Sequence, residues 1–166
     1  MRRKLATTVV VASAMALAAC QSKAPDTLPP QPAGSTPPPD SAGPIPGSQA
    51  DFLAQMSGRQ VIYFDTDRYN IDSADIAALQ AQAQWMQQYP NKRATIEGHS
   101  DERGTRDYNL ALGERRANAA KNYLVSLGVD ASRLSTVSYG KERPEALGSD
   151  ESAWSRNRRA VTITID

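Results

Sequence analysis

The residues able to do chemistry in this 166-residue chain crowd into one stretch, Gly98-His99-Ser100-Asp101-Glu102-Arg103-Gly104-Thr105, which runs on to Leu112-Gly113-Glu114-Arg115-Arg116-Ala117. An Asp can hold an ammonium group, and the planar fork of an Arg can hold a carboxylate through two hydrogen bonds. Asp101 and Arg116 therefore suit a ligand that carries an ammonium and a carboxylate on one short carbon frame. Backbone N–H groups at the start of a following helix would add donors for the anion. Spacing alone leaves open a structural Asp101–Arg116 ion pair, or two solvated charges.

The lone histidine, His99, invites a catalytic or metal reading. Glu97, His99 and Asp101 would share a face if the strand before them continued, but no second His stands by and Gly98 is read as ending the strand. His99-Ser100-Asp101 is also a poor triad, whose members converge from separate parts of a fold. His99 is thus expected to pack or hydrogen-bond in a loop. Neither catalysis nor a cofactor is expected; the charged pair suits recognition.

The flanking patterns position these groups. Arg93 to Glu97 reads as a strand and Asp107 to Leu127 as a long helix, so the charged loop leaves the C-terminal end of a strand, where ligand crevices form in α/β sheets. Helical side chains lean towards the N-terminus, which would turn Arg116 back towards that loop. Upstream, Val61-Ile62-Tyr63-Phe64 reads as a strand covered on both faces, followed by the polar loop Asp65 to Asn70. Asp72 is a candidate N-cap for a helix that keeps its period through Ile76, Leu79, Ala83 and Met86 until Pro90. In the long helix Ala117, Ala120, Leu124 and Leu127 form the core stripe, and Gly128 ends it. Arg133 to Tyr139 is a third strand, and Asp150 to Arg156 a short helix capped by Ser149. In Val161 to Ile165 the apolar residues alternate with Thr162 and Thr164, which predicts an apolar core face and a wetter face. The order β-α-β-α-β-(α)-β predicts an α/β domain with helices packed on a small mixed sheet.

Nine of the 11 prolines lie between Pro25 and Pro46. The chain therefore divides into an N-terminal segment (1–19), a Pro-rich tether (20–50) and one folded domain (51–166). Met1-Arg2-Arg3-Lys4 followed by the apolar run Leu5 to Ala19 reads as a signal peptide. Its end, Leu17-Ala18-Ala19-Cys20, resembles a bacterial lipobox, which implies cleavage before Cys20 and acylation of that cysteine. Gln21, in place of an Asp, favours the outer membrane. Removing Arg2, Arg3 and Lys4 from 19 basic residues leaves 16 against 18 acidic ones, which gives no general attraction for nucleic acid. The segment from Gln21 to Ala50 cannot bury a core; thirty such residues span up to ~90 Å extended or roughly 30 Å as a coil.

Gly98 to Thr105, Tyr108-Asn109, Leu112 to Ala117 and Asn157-Arg158-Arg159 together resemble the OmpA-like peptidoglycan-binding domain family, and Ser135 to Pro144 sharpens the match to its lipoprotein branch. The resemblance covers roughly Val61 to Ile165. It implies that Asp101 holds the ammonium of diaminopimelate in the peptidoglycan stem peptide and Arg116 its carboxylate. It further implies a pocket lined by Asp67, Arg103, Thr105, Asn109 and Leu112. Thr66 departs from the bulky apolar residue that relatives often carry there, which would thin one wall. The implied role is a non-enzymatic outer-membrane lipoprotein, on the periplasmic face, that ties the membrane to the wall within a Tol system. Members of that branch also bind the periplasmic protein TolB, so the alternative is a protein-interaction module acting mainly through TolB. On this reading, Asp101→Ala or Arg116→Ala removes wall binding and leaves the fold intact.

Overall fold

The computed structural model describes residues 43–165. The signal peptide, Cys20 and most of the Pro-rich tether lie outside the described residues. Among these residues four α-helices and four strands follow in the order α1 (Gln49–Met56), β1 (Val61–Tyr63), α2 (Ser73–Gln88), β2 (Arg93–His99), α3 (Arg106–Ser126), β3 (Leu134–Gly140), α4 (Glu151–Asn157) and β4 (Arg159–Ile165), with a single 3-10 turn, Ala131–Arg133, before β3. The strands form one mixed sheet in the order β1-β4-β2-β3. The β2–β3 pair is parallel, with α3 as its crossover, while β4 runs antiparallel to both β1 and β2.

Local sequence accounts for most helix ends. The Asp72 carboxylate accepts from the N–H groups of Ala74 and Asp75 and so starts α2. Thr105 caps α3 through Tyr108 N, and Gly128 follows its last turn in the left-handed conformation. Asp150, one residue beyond the expected Ser149, caps α4 through Ala153 N. The sequence reading missed α1. It starts at Gln49, inside the stretch read as tether, with Ser48 accepting from Asp51 N. Phe52 and Met56, four residues apart, enter the core, and Phe52 meets Trp85 at 5.0 Å. Asp51 accepts from Trp85 Nε1 at 3.0 Å and fastens the helix to α2.

Helices α1, α2 and α3 all cover the same face of the sheet, and this decides which strand residues are buried. Ile62, Ala94, Ile96, Leu134 and Ala160 point into that layer beside Leu79, Met86, Ala117, Ala120 and Leu124. The alternation in β4 is phased opposite to its hydrophobicity. Thr162 and Thr164 are buried, whereas Val161, Ile163 and Ile165 lie on the other face, Ile165 being 49% exposed. The two hydroxyls survive burial because glutamines from the helices accept from them: Thr162 Oγ1 bonds Gln82 Oε1 at 2.7 Å, and Thr164 bonds Gln49 Oε1. Strand β1 is likewise not covered on both faces. It lies at the sheet edge with Tyr63 45% exposed.

At the centre, α3 lies against the backbone of β2. A Cβ on Gly98 would collide with the carbonyl of Gly113, and one on Gly113 would strike Ser138 Oγ and the Gly98 carbonyl. This glycine pair lets helix and strand approach closely, which carries the next turn of α3 over the end of β2. Contrary to expectation, Gly98 does not end the strand. Pairing continues to His99 across an irregularity in register between the two residues.

Candidate functional site

The β2–α3 connection, Ser100 to Thr105, stands beside the β1–α2 loop at the end of the sheet where β2 finishes. Ser100 N donates to Gly140 O at 2.9 Å and Asn109 Nδ2 donates to the carbonyls of Arg103 (2.7 Å) and Thr105 (3.0 Å), so the connection is held from both sides. Lys141 Nζ adds bonds to the carbonyls of Glu102 (3.1 Å) and Gly104 (2.7 Å). The partly enclosed cavity between the two loops holds about 240 Å³ and is lined by Thr66, Asp67, Ser100, Asp101, Arg103, Gly104, Tyr108, Asn109 and Leu112.

Asp101 is buried and pairs with Arg103, which donates Nε to Oδ1 at 3.0 Å and Nη2 to Oδ2 at 2.7 Å. Arg103 N also donates to Oδ1, and Arg158 Nη1 lies 3.5 Å from Oδ2. Burial raises the carboxyl, but the Arg103 hydrogen bonds, with the charges of Arg103 and Arg158, outweigh it. The group stays below the usual carboxylate range and is ionised at neutral pH. The Arg103 guanidinium is itself sandwiched, 4.2 Å over the Trp154 ring and 3.3 Å from Thr66 Oγ1. Trp154 Nε1 is oriented by Glu102 Oε1 at 3.1 Å.

Arg116 turns back towards the loop, as the lean of helical side chains requires, but it does not line the cavity. It is 0% exposed and donates to three carbonyls: Nε to Arg68 O (2.9 Å), Nη1 to His99 O (2.8 Å) and Nη2 to Asp65 O (3.1 Å). Its guanidinium thereby ties the β1–α2 loop and the end of β2 to α3. Burial lowers its pKa to about 10, helped by the charge of Arg158 and opposed by Asp101 and Asp67, so it remains protonated at pH 7. The Asp101–Arg116 ion pair that the spacing left open is not formed; Asp101 pairs with Arg103 and Arg158.

Of the other expected residues, Asp67, Arg103, Asn109 and Leu112 line the cavity. Asp67 takes a left-handed backbone (φ 55°) and accepts from Tyr108 OH at 3.2 Å. Thr105 is occupied as the cap of α3, with Oγ1 3.3 Å from Tyr108 N. His99 is buried at the strand end, not in a loop, against Tyr139 and 3.5 Å from Glu97 Oε2. Burial and the nearby Arg159 charge lower its pKa to about 4, so it is neutral at pH 7. Among the described residues no three His, Cys, Asp or Glu side chains converge on a metal position.

Several residues of the site were missed. Tyr108 stands four residues before Leu112, so helical spacing could have placed it beside the cavity. Trp154 and Arg158 come from α4 and its end, some fifty residues along the chain; Arg158 belongs to the Asn157-Arg158-Arg159 motif, but nothing local to either residue places it beside Asp101.

The fold and cavity define an OmpA-type domain, and the OmpA family profile matches residues 63–158. A structural neighbour, the peptidoglycan-associated lipoprotein from Burkholderia pseudomallei, superposes with a TM-score of 0.67 at 40% identity, covering 71% of this chain and 100% of that one. The C-terminal domain of Helicobacter pylori MotB shares the fold at a TM-score of 0.60 and 20% identity, over 64% of this chain and 84% of that one. Relatives called peptidoglycan-associated lipoprotein match over 155 residues, 93% of this chain and 85% of theirs. That of Agrobacterium fabrum is 49% identical and that of Rhizobium meliloti 51%. The chain belongs to the OmpA family, alongside the peptidoglycan-associated lipoproteins.

Proposed function

We propose that this chain is a non-enzymatic outer-membrane lipoprotein that binds peptidoglycan non-covalently by taking the diaminopimelate side chain of a stem peptide into the Asp101 cavity. The observation that carries this reading is the charge layout of a small, partly enclosed cavity: two carboxylates, Asp67 and Asp101, beside the Arg103 guanidinium. An ammonium entering there meets Asp67 and the Asp101 carboxylate, while the neighbouring carboxylate meets Arg103. Arg116 has five N–H donors and spends three on carbonyls, so it can offer the remaining two to a carboxylate only from beneath the cavity. In this reading Arg116 supports both the loop walls and the anion, and Arg103 must share Asp101 with the ligand.

Acylated Cys20 would hold the other end on the periplasmic face of the outer membrane, with the Pro-rich tether in between. The names of the relatives support the wall association. A place in a Tol-Pal system, with TolB as protein partner, extends the proposal by resemblance.

The test is sedimentation of the full chain, solubilised in detergent, with purified peptidoglycan and no other protein. Wild type should co-sediment, and Asp101→Asn, which keeps the side-chain shape, should lose at least tenfold in binding while retaining its circular dichroism. A folded Asp101→Asn variant that binds like wild type would sink the pocket assignment. Absence of wild-type binding, with TolB captured instead, would favour the protein-interaction alternative.

A further inference from the structure

A second groove, of about 580 Å³, runs along the outer face of α3 and includes Tyr69, Glu114, Arg115, Asn118 and Asn122. It is the neighbour of the candidate cavity on the same two elements. The β1–α2 loop sends Asp67 to the cavity and Tyr69 to the groove, and α3 sends Leu112 to the cavity and Arg115 to the groove. Leu112 and Arg115 are three residues apart, a rise of about 4.5 Å, which is within the reach of one or two residues of extended peptide.

The groove's chemistry is that of a peptide rim. Arg115 lies over the exposed Tyr69 ring at 5.8 Å and forms no ion pair among the described residues. Glu114, the next residue back, brings an acceptor for N–H groups. Asn118 donates to the Glu114 carbonyl at 2.9 Å, so its side chain is oriented along the helix. The arrangement therefore offers one positioned cation and acceptors for amides.

We infer that this groove receives the stem peptide beyond diaminopimelate, with Arg115 reading the free α-carboxylate of the γ-linked D-glutamate that precedes it. The inference rests on the proposed cavity reading. When the diaminopimelate side chain fills the cavity, its main-chain centre stays at the mouth, and the next residue towards the glycan is that glutamate. Many stem peptides carry the same group as an amide, isoglutamine, which removes the charge and keeps the shape. Arg115 thus makes the protein a reader of amidation as well as of diaminopimelate.

The experiment is titration of the full chain in detergent with three probes: free meso-diaminopimelate, L-Ala-γ-D-Glu-meso-diaminopimelate, and the same tripeptide with isoglutamine. Wild type should prefer the glutamate tripeptide over the isoglutamine one by about three- to fivefold, as for an exposed charge pair, and the preference should shrink in high salt. Arg115→Gln should abolish the preference and Arg115→Lys should retain part of it. Free diaminopimelate, too short to reach the groove, should bind wild type and Arg115→Gln alike. Equal binding of the two tripeptides by wild type, or an unchanged preference in Arg115→Gln, overturns the subsite while leaving the cavity reading intact. Failure of wild type to bind any of the three overturns the cavity reading, and the subsite with it.

Discussion

Arg116 illustrates how a residue chosen for its charge can be held by its geometry. Its guanidinium donates to three carbonyls, those of Arg68 and Asp65 in the β1–α2 loop and the buried one of His99. Removing it takes the side-chain donor from the buried His99 carbonyl, a cost of about 1–3 kcal/mol, leaves the Asp65 carbonyl with Arg68 N alone at 3.1 Å, and empties the volume of a fully buried side chain. Arg116→Ala should therefore lower the free energy of unfolding by roughly 3–5 kcal/mol, measured by urea denaturation. This revises the sequence-based expectation that Arg116→Ala leaves the fold intact, and a variant with the wild-type midpoint would show that the tie is dispensable. His99 makes a prediction of opposite character. Its folded pKa, about 4, lies below the ordinary value near 6.5, so the unfolded chain binds a proton that the native one refuses. Stability from this group is fully present above about pH 6.5 and falls as pH drops towards 4, by at most about 1.4 kcal/mol per pH unit. His99→Gln should flatten that part of the stability–pH profile, whatever it does to stability at pH 7.

Among the elements, the close approach of α3 to β2 is the decisive contact. It places the N-terminus of α3, the end of β2 and the β1–α2 loop around one cavity. Gly113→Ala forces a methyl against Ser138 Oγ and the Gly98 carbonyl, so helix and strand must separate. The expected cost is about 1–3 kcal/mol of overpacking, accompanied by weaker wall binding, since Arg116 rides on the same helix. A double readout, urea midpoint and peptidoglycan sedimentation, checks this; unaltered binding would show that the cavity does not depend on the separation. By contrast, Thr105→Ala removes only a cap at the exposed start of α3 and should cost about 1 kcal/mol. Amide hydrogen exchange in the first turn would then rise with little change elsewhere.

For the whole molecule, the proposal demands that anchoring and recognition be separable. Deleting residues 24–42, which precede the Ser48 cap, removes reach and no cavity residue. The shortened chain should bind isolated peptidoglycan within about twofold of wild type, since the cavity is untouched. In cells, its chemical cross-linking to the wall should fall several-fold, because each residue lost removes up to about 3 Å of span. Equal cross-linking in cells would mean that the gap is spanned without this segment.

The elements whose local chemistry is self-contained were legible in the sequence: the Asp72 cap, the stop at Pro90, the long helix ended by Gly128, and the charged loop leaving the strand before it. Their signals act over one or two helical turns, within the range at which neighbouring residues determine backbone conformation. That Asp101, Asp67, Arg103, Asn109 and Leu112 share one cavity was also an expectation of their motif and the family resemblance it carries. Only the tertiary structure decided which face of each strand is inside. Helices α1, α2 and α3 pack on one side, so Gln82 and Gln49 can satisfy Thr162 and Thr164 while Val161 and Ile163 face outwards. It likewise decided the partner of Asp101, because Trp154 holds Arg103 in place and Arg158 arrives from the far end of the chain. A carboxylate pairs with whichever cation the fold brings within a few ångströms, and chain spacing does not encode that distance.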